Sequence, residues 1–376
     1  MHTIQQLHRA GQSIWYDNIQ RGLLANGELA GMIERGEIRG VTSNPTIFMN
    51  AITKSHDYDA SLVPLAKAGN SAQEIFWHLA IDDIQTAADL FRPMYDETDG
   101  GDGYVSLEVS PYLAHDAAAT LDEAKQLWER VDRPNLLVKI PATLAGLSAI
   151  ADAIAAGINV NVTLIFALDR YRAVMDAYLS GLERRAAAGL AIHRIASVAS
   201  FFVSRVDTKV DARLSALVDR GGDEAGRAAR LLGKAAIANA RLAYADYKTI
   251  FGASRFEALK VVGARAQRPL WASTSTKNPA YRDVIYVEEL VGPNTVNTAP
   301  PQTVAAFLDH GIVRPGSLEQ NVAEASQVLV DLEALGVSMQ TVTDELEREG
   351  VKSFADAFTA LLGAVEASRM VAVASV

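Results

Sequence analysis

Lys139 stands inside an aliphatic run, with Leu136, Leu137 and Val138 before it and Ile140 and Pro141 after it. A lysine in such surroundings is rarely buried without a partner. An apolar environment disfavours the ammonium, and a neutral amine is a nucleophile toward a carbonyl carbon. Two carboxylates, Asp17 and Glu108, occupy other apolar runs and suit separate proton transfers. They could equally pair with the lysine simply to neutralise the interior, and the residue types alone leave both readings open. A magnesium site is disfavoured, because a hard cation wants clustered oxygens and a lysine among them would repel it. The seven histidines form no HxH or HExxH pair, and the chain has no cysteine. Zinc ligation, disulfides and thiol nucleophiles are therefore not expected.

These residues belong to a larger pattern. Eight β-rich runs alternate with helical stretches: 13–19, 38–44, 104–110, 135–141, 158–166, 194–203, 268–274 and 294–300. Each has a polar residue toward its carboxyl end, namely Asp17, Asn44, Glu108, Lys139, Asn161 with Thr163, Ser200, Ser273 and Asn297. Strands buried on both faces read as continuous apolar runs, and alternation with helices implies a parallel sheet. Eight such units predict an α/β fold, a (β/α)8 TIM barrel whose carboxyl-end residues converge on one site. Unpartnered burial of so many polar groups would cost about 1–3 kcal/mol each, which favours a functional set over packing.

A barrel uses about 250 residues, so the surplus must lie elsewhere. It falls before the second strand, between strands 2 and 3 (51–100), and after 301. Leu318, Val322, Ala325, Leu329 and Leu332 recur at helical spacing, as do Phe354, Phe358, Leu361, Leu362 and Val365. They predict C-terminal helices over 318–371 packed on the barrel. Helices are also expected over 116–131, 167–188 and 210–251, the last broken near Gly221–Gly222. No Gly-, Pro- or Ser-rich linker divides the chain, so one domain over 1–376 is expected.

A net charge of −10 argues against a nucleic-acid partner, whose phosphates demand basic patches. A phosphorylated small molecule needs only two or three local cations. No basic segment followed by an apolar stretch opens the chain, and no run of about 18 apolar residues suggests a membrane span. A cytoplasmic protein is expected, and a homo-oligomer is compatible with that. Gly101-Asp102-Gly103 resembles the start of a thiamine-diphosphate motif but lacks its downstream Asn pair, and reads better as a turn. Gly221 to Gly226 lacks the Lys-Ser/Thr of a P-loop.

The segments GVTSNPTIF (40–48), SLEVSP (106–111), LVKIPAT (137–143), INVNVTLIF (158–166), SFFVSRVD (200–207), WASTSTKNP (271–279) and GPNTVNT (292–298) closely resemble the transaldolase family, in particular its longer bacterial branch. The resemblance spans nearly the whole barrel and implies a metal-free, cofactor-free transferase of the pentose phosphate shunt. Such an enzyme would move a dihydroxyacetone unit between sugar phosphates through a Schiff base on Lys139. It implies further that Asp17 is the acid/base for carbon–carbon cleavage, and that Glu108 and Thr163 hold a proton-shuttling water. Asn44, Asn161 and Ser200 would bind the dihydroxyacetone moiety, Phe202 would wall the site, and Arg205 would bind phosphate. The seventh strand departs from the family's commoner Ala-Ser-Phe-Arg. Ser273 aligns, but Lys277 is the expected replacement for the second phosphate cation. Two alternatives remain: a fructose-6-phosphate aldolase-like enzyme, in which a tyrosine replaces the third-strand glutamate, and a non-catalytic sugar-phosphate-binding barrel.

Overall fold

The computed structural model describes residues 2–374. Eight parallel strands close in chain order into a barrel: β1 (Gln12–Tyr16), β2 (Gly40–Val41), β3 (Tyr104–Glu108), β4 (Leu136–Pro141), β5 (Val160–Ile165), β6 (Ser197–Phe202), β7 (Arg268–Ala272) and β8 (Thr295–Ala299). Seven lie inside their apolar runs, and β1 begins one residue before its run, at Gln12; most are shortened where the chain peels away into a loop. Asp17, Asn44 and Ser273 consequently sit just past their strands, at the start of the loops. β2 is the shortest strand. A Cβ at Gly40 would lie 2.7 Å from the Trp15 ring and 2.8 Å from the Tyr104 carbonyl, so only glycine lets β2 close between its neighbours.

Local chemistry sets the helix starts. Asn44 caps Pro45–Thr53 by accepting from the Ile47 amide, with Pro45 in the first turn. Asp116 caps Ala117–Val131 and Thr143 caps Leu144–Ala156 in the same way. The long Ala-rich region is three helices, Ser204–Arg220, Ala225–Ala229 and Ala235–Phe251, with the expected break at the glycine pair and a second one after it. Leu318 falls in the 3-10 turn Ser317–Glu319, followed by Val322–Ala334 and the 36-residue helix Met339–Ala374.

That last helix corrects one expectation. By length and composition it is apolar enough to cross a bilayer, because its charged residues are too sparse to lower the average of its apolar stretch. It packs across the carboxyl ends of the strands. It touches Pro45–Thr53, Asp59–Lys67, Ala72–Glu97, Ser204–Arg220 and β5, burying Phe354, Phe358, Leu361 and Val365.

The opposite, amino-terminal end of the barrel is closed by a charged network. Asp102 accepts from Ser13 Oγ at 2.6 Å and Trp15 Nε1 at 3.1 Å, and pairs with Arg39 and Arg268. Burial pushes its carboxyl up, but Arg268 and the Ser13 and Trp15 hydrogen bonds outweigh this and hold it below the ordinary range. The Gly101-Asp102-Gly103 segment is thus a turn before β3 whose acid has a structural role.

Candidate active site

The carboxyl ends of the strands surround a cavity of about 200 Å³. Of the residues singled out in the sequence, Asp17, Asn44, Lys139, Thr163, Ser200, Phe202, Arg205, Ser273 and Lys277 line it. Lys139 is buried on β4. Its Nζ donates to the Ser43 carbonyl at 3.1 Å and lies 3.2 Å from Glu108 Oε2, the neighbouring residue in the β3–β4 register. Burial pushes the Glu108 carboxyl up, and the Lys139 charge beside it pulls the other way. Glu108 Oε2 and the Thr163 hydroxyl are buried without an aligned hydrogen bond. Two polar atoms near the lysine are therefore left with capacity for a further partner.

Asp17 follows β1 and keeps some exposure to the cavity. Its carboxyl is pushed up by burial and pulled back by the Thr42 hydrogen bond, then by Lys139 and Lys277. Thr42 Oγ1 donates to Asp17 Oδ1 at 2.6 Å and lies 2.6 Å from Thr298 Oγ1. With the Thr42 proton committed to an ionised Asp17, Thr298 must donate to Thr42. The three form a directed chain at the mouth.

Asn44 spends its oxygen on the Ile47 amide at 3.0 Å, so Nδ2 is its donor toward the cavity. Asn161 lies one layer below. It donates to Ser106 Oγ at 3.0 Å and accepts from Ser200 Oγ at 2.7 Å, fixing Ser200 in the cavity wall without lining the cavity itself. Asn297 is likewise internal, accepting from Thr274 Oγ1 at 2.9 Å. β5 carries a register shift between Val162 and Ile165, with Leu164 in the left-handed region at φ 59°. Such an irregularity re-aims side chains. Here Thr163 meets the cavity while Leu164 meets the C-terminal helix at Gly350. Ser273 is also left-handed (φ 56°), with its hydroxyl 3.0 Å from that of Ser204.

Two cations stand on adjacent loops. The Arg205 guanidinium lies over the Phe202 ring, 5.4 Å from its centroid. Burial pushes its pKa down, and the carboxylate that pulls it back, Glu349, is itself paired with Lys209. Lys277 is at the rim and donates to Ser275 Oγ at 2.6 Å. Partial burial and the Arg205 charge lower its pKa, while Asp17 raises it, so Lys277 feels both the cation and the acid. Thr42, Ser275, Thr298 and Gln302 also line the cavity and are not singled out in the sequence, and Phe354, read there as a packing residue of the C-terminal stripe, lines it too. Thr42 lies within the GVTSN run and could have been read there. Phe354 comes from a helix whose docking no local pattern specifies.

The family profile described as Transaldolase/Fructose-6-phosphate aldolase matches residues 14–365. The chain belongs to this family. It is 51% identical over 366 residues to Transaldolase 1 of Streptomyces coelicolor, covering 97% of this chain and 94% of that protein. A Transaldolase of Mycobacterium ulcerans is 49% identical over 366 residues, at 97% and 96% coverage. A third relative, the Transaldolase of Thermobifida fusca, is 51% identical over 362 residues, at 96% and 97%. Likeness of this extent, on a closed eight-stranded barrel, makes the chain a transferase of aldehyde or ketone residues.

Proposed function

We propose that this enzyme reversibly transfers a dihydroxyacetone unit from sedoheptulose 7-phosphate to glyceraldehyde 3-phosphate, giving erythrose 4-phosphate and fructose 6-phosphate. The observation that carries this reading is a buried lysine amine opening into a polar cavity whose rim holds two cations. Lys139 adds to the ketose carbonyl and loses water to form an imine. Glu108, whose Oε2 faces the Lys139 amine, and Thr163, whose hydroxyl has no aligned hydrogen bond, suit the holding of the water that moves protons in this step and in its reversal. Asp17 takes the proton from the hydroxyl on the far carbon of the breaking bond, the one β to the imine carbon, and that oxygen becomes the carbonyl of the departing aldose. The aldose phosphate departs, and the electron pair of the broken bond is delocalised onto the imine nitrogen as an enamine. The enamine carbon then attacks the second aldehyde, whose oxygen receives the proton from Asp17. The protonated imine is the electron sink, so this chemistry calls for no added cofactor or metal.

Asn44 and Ser200 would hold the dihydroxyacetone hydroxyls, Asn161 would act through Ser200, and Ser273 would serve the wall near the phosphate. Arg205 offers the planar fork that suits a phosphate, and Lys277 adds a point charge. The same reading takes the chain as one barrel domain working in the cytoplasmic pentose phosphate pathway. Glu108 on β3, together with Phe202, favours transfer over simple release of dihydroxyacetone. The deciding experiment supplies fructose 6-phosphate with and without erythrose 4-phosphate. Sedoheptulose 7-phosphate should form much faster than dihydroxyacetone is released when the acceptor is omitted. Equal rates would point instead to an aldolase.

A further inference from the structure

The C-terminal helix is placed over the mouth by three separate contacts. Gly350 lies against Leu164 of the β5 irregularity, and a Cβ there would come 2.9 Å from Leu164 Cδ2. One turn beyond Phe354, Phe358 packs edge-on against Phe76 and Tyr112 at 5.3 and 5.4 Å between ring centroids. Along the same helix, Glu347 pairs with Arg170 at 3.0 Å, Glu345 with Lys209 and Arg213 at 2.8 Å each, and Glu349 with Lys209. Between these anchors, Phe354 is buried, lines the cavity and presents its ring 5.5 Å from Lys139 Nζ. The other groups close to Nζ, the Ser43 carbonyl and Glu108, are polar.

We propose that Phe354 caps the Lys139 adduct and sets how the bound three-carbon unit divides between acceptor and water. This rests on the Schiff-base reading above. The enamine has two fates. In transfer, its electron pair forms a carbon–carbon bond to the acceptor aldehyde, whose oxygen takes the Asp17 proton. In loss, the same carbon instead takes a proton delivered through water. A water oxygen then adds to the iminium carbon, and the carbon–nitrogen bond breaks with its electron pair returning to Nζ, freeing dihydroxyacetone. The two fates differ in whether the enamine carbon meets a water-borne proton. That carbon is two bonds from Nζ, within reach of the Phe354 ring. An aromatic face there excludes water and favours the cationic imine. Imine hydrolysis at the end of a productive cycle needs no carbon protonation, and Glu108 and Thr163 can serve it from the polar side.

The test compares the parent enzyme with Phe354→Ala and Phe354→Leu, the latter keeping most of the volume should the former fail to fold. Dihydroxyacetone release from fructose 6-phosphate alone is measured against sedoheptulose 7-phosphate formation with erythrose 4-phosphate. The ratio of release to transfer should rise roughly fivefold or more in Phe354→Ala and less in Phe354→Leu. Borohydride reduction should still trap the adduct on Lys139 in both. A trapped adduct with an unchanged ratio, or both rates falling in proportion, would overturn the cap alone. Failure to trap Lys139 in the parent enzyme would bring down the imine reading, and the cap with it.

Discussion

The pH behaviour of the site turns on a single hydroxyl. Burial pushes the Asp17 carboxyl up, and the hydrogen bond from Thr42 is the largest influence pulling it back. Asp17 must be ionised to take a proton from the substrate. Removing the Thr42 donor should therefore raise its pKa further and move the acidic limb of kcat/KM to higher pH. Thr42→Val should show this shift in a pH–rate profile, while Thr42→Ser, which retains the donor, should not. A limb that stays put or moves down in Thr42→Val would exclude Asp17 as the titrating base. At this scale much was legible in advance: a lysine, an aspartate and a glutamate in apolar runs are conspicuous, and the structure brings all three together. Thr42 and Thr298 were overlooked because a threonine fits a buried strand on packing grounds alone. Asn161 and Asn297 were visible as polar interruptions, but their depth depends on the stagger of the closed barrel, which a single strand does not reveal.

The loops after β6 and β7 form the next level. Each contributes one cation, Arg205 and Lys277, and the two influence each other electrostatically. Phosphate oxygens match the arginine fork, whereas the lysine is less directional. Arg205→Ala should raise KM for phosphorylated substrates by roughly tenfold or more, and Lys277→Ala by a few-fold. KM for an unphosphorylated acceptor such as glyceraldehyde should hardly change in either variant. If Lys277→Ala leaves the KM for erythrose 4-phosphate unaltered, the second cation is another group. The strands themselves were readable because parallel strands buried on both faces leave continuous apolar runs. The β5 irregularity was not, since Leu164 is a residue type that ordinarily avoids positive φ and gives no cue that it will adopt it. The C-terminal helix was likewise legible as amphipathic, but its placement across the mouth depends on partners hundreds of residues away, such as Arg170 and Lys209.

Across the whole molecule, charge is arranged differently at the two ends of the barrel. At the amino-terminal end, Asp102 is satisfied by Ser13, Trp15, Arg39 and Arg268, an arrangement suited to stability. At the carboxyl end, Lys139 and Glu108 are buried in proximity, the Glu108 Oε2 and Thr163 oxygens lack aligned hydrogen bonds, and among the described residues Arg205 has no carboxylate at ion-pair distance. Such incomplete satisfaction is tolerated where a substrate will complete it. In the proposed reaction the ketose becomes covalently attached to one particular amine of the 376-residue chain. Borohydride reduction in the presence of fructose 6-phosphate, followed by peptide mass mapping, addresses it directly. A three-carbon adduct is expected on Lys139 and on no other lysine. An adduct elsewhere, or none while the enzyme turns over, would contradict it.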